Sequence, residues 1–143
     1  IGSGSRIPTK GSVFVSVKDS DKDKILNPVS DLFSLGFDIY ATHGTAEFLN
    51  NNNIQTKKIN KVLQGSPHIV EMISEKKISL VLNTTETPQA IKDSKSIRRS
   101  ALESETPYYT TVSGANAVVM AIKAIKNNEI SIKTIQSFGQ LLS

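Results

Sequence analysis

The run Ile78-Ser79-Leu80-Val81-Leu82, ending in the polar turn Asn83-Thr84-Thr85, decides the fold. A strand with one wet face alternates apolar and polar residues, whereas this run is almost wholly apolar, as in a strand covered by helices on both faces. Working outward from it gives a regular alternation. Upstream, His68 to Glu75 reads as a helix with Ile69, Val70, Met72 and Ile73 inward, after the loop Asn60 to Pro67 and a weak strand over Lys57 to Ile59. Before these stand a short helix, Gly44 to Asn50, burying Ala46, Phe48 and Leu49, and a strand from Phe37 to Ala41. The first unit opens with the β-branched run Val13 to Val17 and the turn or cap signal Asp19-Ser20-Asp21, with the two aspartates read as helix caps. Ile25, Val29, Leu32 and Phe33 then recur at helical spacing, with Gly36 as the C-terminal cap. Proline is tolerated only near a first turn, so Pro28 predicts a late start with Asn27 as cap. Downstream lie helical material from Pro88 to about Glu103, a strand near Tyr108 to Val112, and a helix with Val118, Val119, Ile122 and Ile125 on one face. The tail from Ile130 onward is ambiguous. Strands alternating with helices predict an open α/β sheet, mainly parallel, with right-handed crossovers.

With 143 residues and a 38% hydrophobic share, the chain has the size and apolar content of one domain. No stretch approaches the roughly 20 apolar residues of a spanning helix, and Ile1 to Lys10 has no apolar core of a secretory signal. That segment, IGSGSRIPTK, reads as a linker from an upstream domain, leaving 11–143 as a single domain. Cysteine is absent, which excludes disulfide scaffolds, Cys-ligated zinc and thiol nucleophiles. The expectation is a soluble, cytoplasmic domain. Seventeen Lys and Arg against thirteen Asp and Glu give a net charge of +4. The cations fall in short pairs (Lys57-Lys58, Lys76-Lys77, Arg98-Arg99) without interleaved aromatics, so they read as solvated faces and not as a nucleic-acid or membrane surface. A small anion fits this balance better.

Ligands of open α/β sheets bind beyond the carboxyl ends of the strands. Those ends carry Ser16 and Lys22, then Thr42-His43-Gly44-Thr45 opening a helix, then Asn60-Lys61, Asn83-Thr84-Thr85, Thr110-Thr111 and Ser113-Gly114. Hydroxyls, amides, a glycine turn and two lysines, with hardly a carboxylate, suit a phosphate at a helix N-terminus. Each Thr alone is an ordinary cap or turn residue, and only their convergence on one rim points to an anion. His43 and His68 show no metal-ligand spacing and no carboxylate partner, so no metal site is expected. Nucleophile-elbow, P-loop and dinucleotide motifs are all absent. Lys61→Ala and Thr45→Val should weaken a phosphate ligand while leaving the fold intact.

In order along the chain stand Thr42-His43-Gly44-Thr45-Ala46, Asn60-Lys61-Val62, Gly65-Ser66-Pro67-His68, Asn83-Thr84-Thr85 and Ile97-Arg98-Arg99-Ser100-Ala101-Leu102. This series resembles the C-terminal allosteric domain of the carbamoyl-phosphate synthetase large subunit, of the methylglyoxal-synthase-like fold. The resemblance implies a five-stranded, mainly parallel sheet flanked by helices in Rossmann-like layers, and a regulatory, non-catalytic role within an ATP-dependent ligase of pyrimidine and arginine biosynthesis. It implies a nucleotide monophosphate effector of the UMP or IMP type, held by the positions matching Ser16, Lys22, Thr42, Thr45, Lys61, Asn83, Thr84 and Thr85. Ornithine, in relatives that respond to it, binds at an interdomain position matched by Tyr108 and Thr110. The implied partners are the rest of the large subunit and a glutaminase small subunit. No cofactor is implied for this domain, ATP, Mg or Mn and K being used by the rest of the parent enzyme. The chain departs from the enterobacterial pattern in having Thr87-Pro88-Gln89 in place of an arginine pair, Tyr109 in place of an acid, and Ser113 in place of an Asn. True methylglyoxal synthase, the enzyme alternative, has an aspartate base in a loop matched here by Gln64-Gly65-Ser66-Pro67-His68, which lacks it.

Overall fold

The computed structural model describes residues 7–60, 68–84 and 88–142. It has five strands, β1 (Ser12–Ser16), β2 (Asp38–Ala41), β3 (Thr56–Lys58), β4 (Leu80–Asn83) and β5 (Tyr108–Tyr109). Between and after them run the helices α1 (Lys22–Ser34), α2 (His43–Asn51), α3 (Ile69–Ser74), α4 (Pro88–Glu103) and α5 (Val112–Leu142). The strands form one sheet in the order β3-β2-β1-β4-β5, every pairing parallel.

Successive side chains of a strand point to opposite faces, and the sheet uses both. Val13 and Val15 enter a core built with Ile25, Val29 and Leu32 of α1, Leu49 of α2, and Val118 and Ile122 of α5. Phe14 and Val81 point the other way, into a second core with Ile69 and Ile73 of α3 and Ile97 and Ala101 of α4. This division explains why the central strands lack a polar face. Ile7 packs against the first core.

The proline in α1 was expected to delay the helix to Asn27; instead α1 begins at Lys22 and runs through Pro28, which is itself buried. An interior proline forfeits one backbone bond at a cost of about 3 kcal/mol. Burial of Ile25, Pro28, Val29 and Leu32 along one stripe outweighs that loss. Gly36 does end the helix. Its φ of 98° is the left-handed conformation that suits glycine, and Phe37 N–H reaches Leu32 C=O at 3.1 Å while Gly36 N–H reaches Phe33 C=O at 3.1 Å. The last expected strand is cut short at Tyr109, because Thr111 caps α5: its Oγ1 accepts from Gly114 N–H at 2.9 Å. The ambiguous tail is a continuation of α5. From residue 61 on, the expected loop Asn60 to Pro67 lies outside the described residues.

The chain moves outward from β1 through β2 to β3, then returns to the other side of β1 as β4. The order therefore reverses between β1 and β4, and the crevice beyond a reversal point is where such sheets bind ligands. Ser16 and Asn83 are register partners there.

Candidate functional site

Side-chain hydroxyls lace the strand ends together. Thr42 Oγ1 donates to Ser16 Oγ at 3.1 Å, and Val17 N–H donates to Thr45 Oγ1 at 3.3 Å. Lys18 N–H donates to Thr84 Oγ1 at 3.0 Å, while Thr84 N–H donates to Ser16 C=O at 2.9 Å. All four side chains are buried. Thr42 occupies the N-cap of α2 without capping it, because its hydroxyl is turned to Ser16. Ser16 and Thr45 act as acceptors in these bonds, so each retains its own O–H for a further acceptor.

A cavity of about 270 Å³ opens above this lacing, lined by Ser16, Val17, Asp19, Lys22, Thr42, His43, Gly44 and Thr45. Its floor is the first turn of α2, whose leading N–H groups have no intrahelical acceptor. Lys22 reaches over that turn: a Cβ at Gly44 would stand 3.6 Å from its Nζ. The reading of Asp19 and Asp21 as helix caps is corrected here. Asp19 Oδ1 lies 2.7 Å from Lys22 Nζ, and Asp21, although at the N-cap of α1, makes no side-chain cap bond. The hydrogen bond from Lys22, and then its charge, hold the Asp19 carboxyl below the usual carboxylate range. The i, i+3 spacing of the pair was the available signal. Asp19 is the one carboxylate among the described lining residues, in keeping with the expected scarcity of acids on the rim.

The histidines need correction as well, since each has a carboxylate neighbour. His68 and Glu71 form a reciprocal capping box at the start of α3. His43 Nε2 stands 3.9 Å from Glu47 Oε2 on the exposed side of α2. Neither arrangement builds a metal centre, and among the described residues no three His, Asp or Glu are grouped to hold an ion. Nor, among those residues, is any helix long and apolar enough to cross a membrane.

Ser16, Lys22, Thr42 and Thr45 are thus brought into one cavity, and Thr84 supports its wall. Asn83 sits beside Ser16 but is directed elsewhere: its Nδ2 donates to Ser94 Oγ at 2.9 Å and to Tyr108 Oη at 2.8 Å. Both amide protons are thereby committed. Lys61 and Thr85 lie outside the described residues. Tyr108 lines a separate cavity of about 290 Å³ with Arg98, Leu102, Thr106 and Pro107, and Thr110 is exposed at the end of β5. A larger groove of about 410 Å³ runs between α3 and α4, past Ser74, Lys95, Arg99 and Glu103, and shares no residue with the rim.

Comparison with known proteins agrees with this architecture. The carbamoyl phosphate synthase large chain of Brucella suis is 45% identical over 96% of this chain, and that of Methanobrevibacter smithii 44% identical over 94%. The chain spans only 12% and 13% of the length of these two relatives. Among solved structures, methylglyoxal synthase from Elizabethkingia anophelis superposes with a TM-score of 0.64 at 17% identity, over 79% of either chain. ForH superposes with a TM-score of 0.58 at 15% identity, over 80% of either chain. Likeness at such identity concerns the fold, which is the five-stranded parallel sheet described above. The profile of the MGS-like domain matches residues 24–110, and the chain belongs to that family.

Proposed function

We propose that this chain is the regulatory domain of a glutamine-dependent carbamoyl-phosphate synthetase large chain, binding a nucleotide monophosphate of the UMP or IMP type by its phosphate. The observation that carries the reading is the cavity at the strand ends, where Lys22 Nζ, two buried hydroxyls with protons to donate and the N-terminal turn of α2 converge. Every one of these groups is a donor or a positive charge. A phosphoryl group, which brings two negative charges and acceptors only, answers all of them. The reading extends to Lys61 and Thr85 as further ligand contacts, and to Tyr108 and Thr110 as an ornithine position where the domain meets the rest of the large chain. The glutaminase subunit is the second partner, in a cytoplasmic enzyme of pyrimidine and arginine biosynthesis.

The domain senses and does not catalyse in this reading. Lyase chemistry on dihydroxyacetone phosphate needs a base beside the phosphate, and the one carboxylate among the described lining residues, Asp19, is bound to Lys22. Effector binding would act through a coupling free energy, about 1–3 kcal/mol in typical cases, between this rim and the distant catalytic centres.

Calorimetric titration of the 143-residue chain with UMP, IMP and inorganic phosphate tests the reading. Saturable binding is expected, weakened about tenfold or more by Lys22→Ala, since the charge-assisted bond is worth about 1.5–3 kcal/mol. Equal affinity in Lys22→Ala would remove the rim as the site, and turnover of dihydroxyacetone phosphate would restore the lyase alternative.

A further inference from the structure

We propose that Asp19 is the resident counter-anion of the rim cavity, and that any anion binding there must first displace it from Lys22. The inference rests on the anion-site reading above. Lys22 is the first residue of α1, and its ammonium leans over the first turn of α2. It therefore stands against the positive ends of two helices, an arrangement that is unfavourable unless a negative charge joins it. Among the described lining residues the Asp19 carboxylate is what supplies that charge, at 2.7 Å.

The two partners are not equivalent. The Lys22 side chain is 22% exposed, whereas that of Asp19 is 90% exposed. The lysine is the fixed member and the carboxylate the one free to swing out. An ion pair so open to water holds its partner weakly, so an incoming anion displaces it at small cost. What the newcomer gains depends on its charge. A monocarboxylate replaces one negative charge by another and is no better placed than Asp19, which is already tethered there. A phosphoryl dianion brings a second charge toward the α2 turn and further acceptors for the Ser16 and Thr45 hydroxyls. Asp19 thus acts as a built-in competitor for anions at Lys22, a role separate from capping α1, for which it lies too far upstream. Asp21 and Asp23 share its neighbourhood in sequence but do not line the cavity.

The test is calorimetry on the 143-residue chain with inorganic phosphate and with acetate, above the second ionisation of phosphate, for the wild type, Asp19→Asn and Asp23→Asn. Asp19→Ser serves as a second variant, and thermal unfolding checks that each is folded. Removing the competitor should tighten phosphate about threefold, as expected from the worth of an exposed ion pair, and should tighten acetate, a weaker ligand, by a similar factor. Asp23→Asn changes the net charge equally and should leave both ligands as they were. Phosphate binding in Asp19→Asn and Asp19→Ser no tighter than in the wild type overturns the role of Asp19 while leaving the anion site standing. An equal gain in Asp23→Asn also overturns it, by reducing the effect to the general field of the chain. Absence of phosphate binding in the wild type and both Asp19 variants overturns the site and the proposal together.

Discussion

Replacing Thr45 by valine separates what this residue does for the fold from what it does for a ligand. Thr45 is 3% exposed, and its Oγ1 accepts the Val17 N–H at 3.3 Å, just beyond the end of β1. Valine keeps the volume and branching but removes the acceptor, leaving a buried backbone donor unanswered. Such a loss costs about 1–3 kcal/mol, and the long bond places it near the lower end, about 1 kcal/mol. In a domain of this size that lowers Tm by about 4 °C. The fold should therefore stay intact, as the sequence reading expects, but less stable, because the position is an internal tie as well as a rim residue. The second loss is the hydroxyl proton that Thr45, a lining residue, could donate to a ligand, which should weaken phosphate about tenfold or more, as for any charge-assisted bond. Thr45→Ser is the matched control. It sheds a methyl group, worth about 0.8 kcal/mol, yet keeps both hydrogen bonds. Thermal stability alone hardly distinguishes the two variants; amide exchange at Val17 and phosphate calorimetry do. Unchanged Val17 protection together with unchanged phosphate affinity in Thr45→Val would refute both roles.

Two further outcomes follow from the same geometry. The Asp19 carboxyl, followed by carbon NMR through an acid titration, should titrate below the ordinary carboxylate range, and Lys22→Ala should return it there. With the folded pKa depressed, the stabilising pair is complete above the unfolded value and is lost as pH falls through the folded one; an Asp19 titration unaffected by Lys22→Ala would contradict the pair. Gly11→Ala drives a Cβ into Ser79 Oγ at a backbone φ of +118°, so even after Ser79 turns aside about 1–2 kcal/mol of backbone strain remains. Its Tm should fall by several degrees, and Ser79→Ala in the same chain should restore only part of it; full restoration would show that the strain lay in the side chain alone.

The architecture was legible because the central strands announce themselves. Ile78 to Leu82 has no polar face to offer, and the cores on both sides of Phe14 and Val15 explain why. Boundaries were less legible where local chemistry competes with pattern. Pro28 argues against a helix that the stripe of Ile25, Val29 and Leu32 nevertheless enforces, and Thr111 turns an expected strand into a helix cap. At the site, residue type and strand-end position sufficed to select Ser16, Lys22, Thr42 and Thr45, whose convergence the cavity shows. Direction could not be read in the same way. Nothing in the sequence says that Asn83 turns both amide protons to Ser94 and Tyr108, since those partners are brought to it by α4 and β5 from 11 and 25 residues away. Nor does composition say which acid near Lys22 reaches it, a matter settled by the short 3-10 turn at Asp19–Asp21 that precedes α1.

The commitments of these polar side chains bear on how firmly the rim is held. Thr42, Thr45, Thr84 and Asn83 are buried, and each is already spent in part on a strand end, an adjoining helix or an edge strand. A binding group fixed in this way loses little freedom when a ligand arrives, which is where affinity is otherwise lost. The same bonds that close the open ends of β1 and β4 therefore also preorganise the cavity, and the exposed Asp19 carboxylate is the part of it left free to rearrange. Asn83 extends the arrangement sideways. By holding Tyr108 Oη at 2.8 Å it joins the reversal point of the sheet to β5, the edge strand beside the Arg98–Leu102 cavity. A ligand that shifted the end of β4 would have to break or carry that bond. The rim and the edge strand are therefore joined through one buried amide.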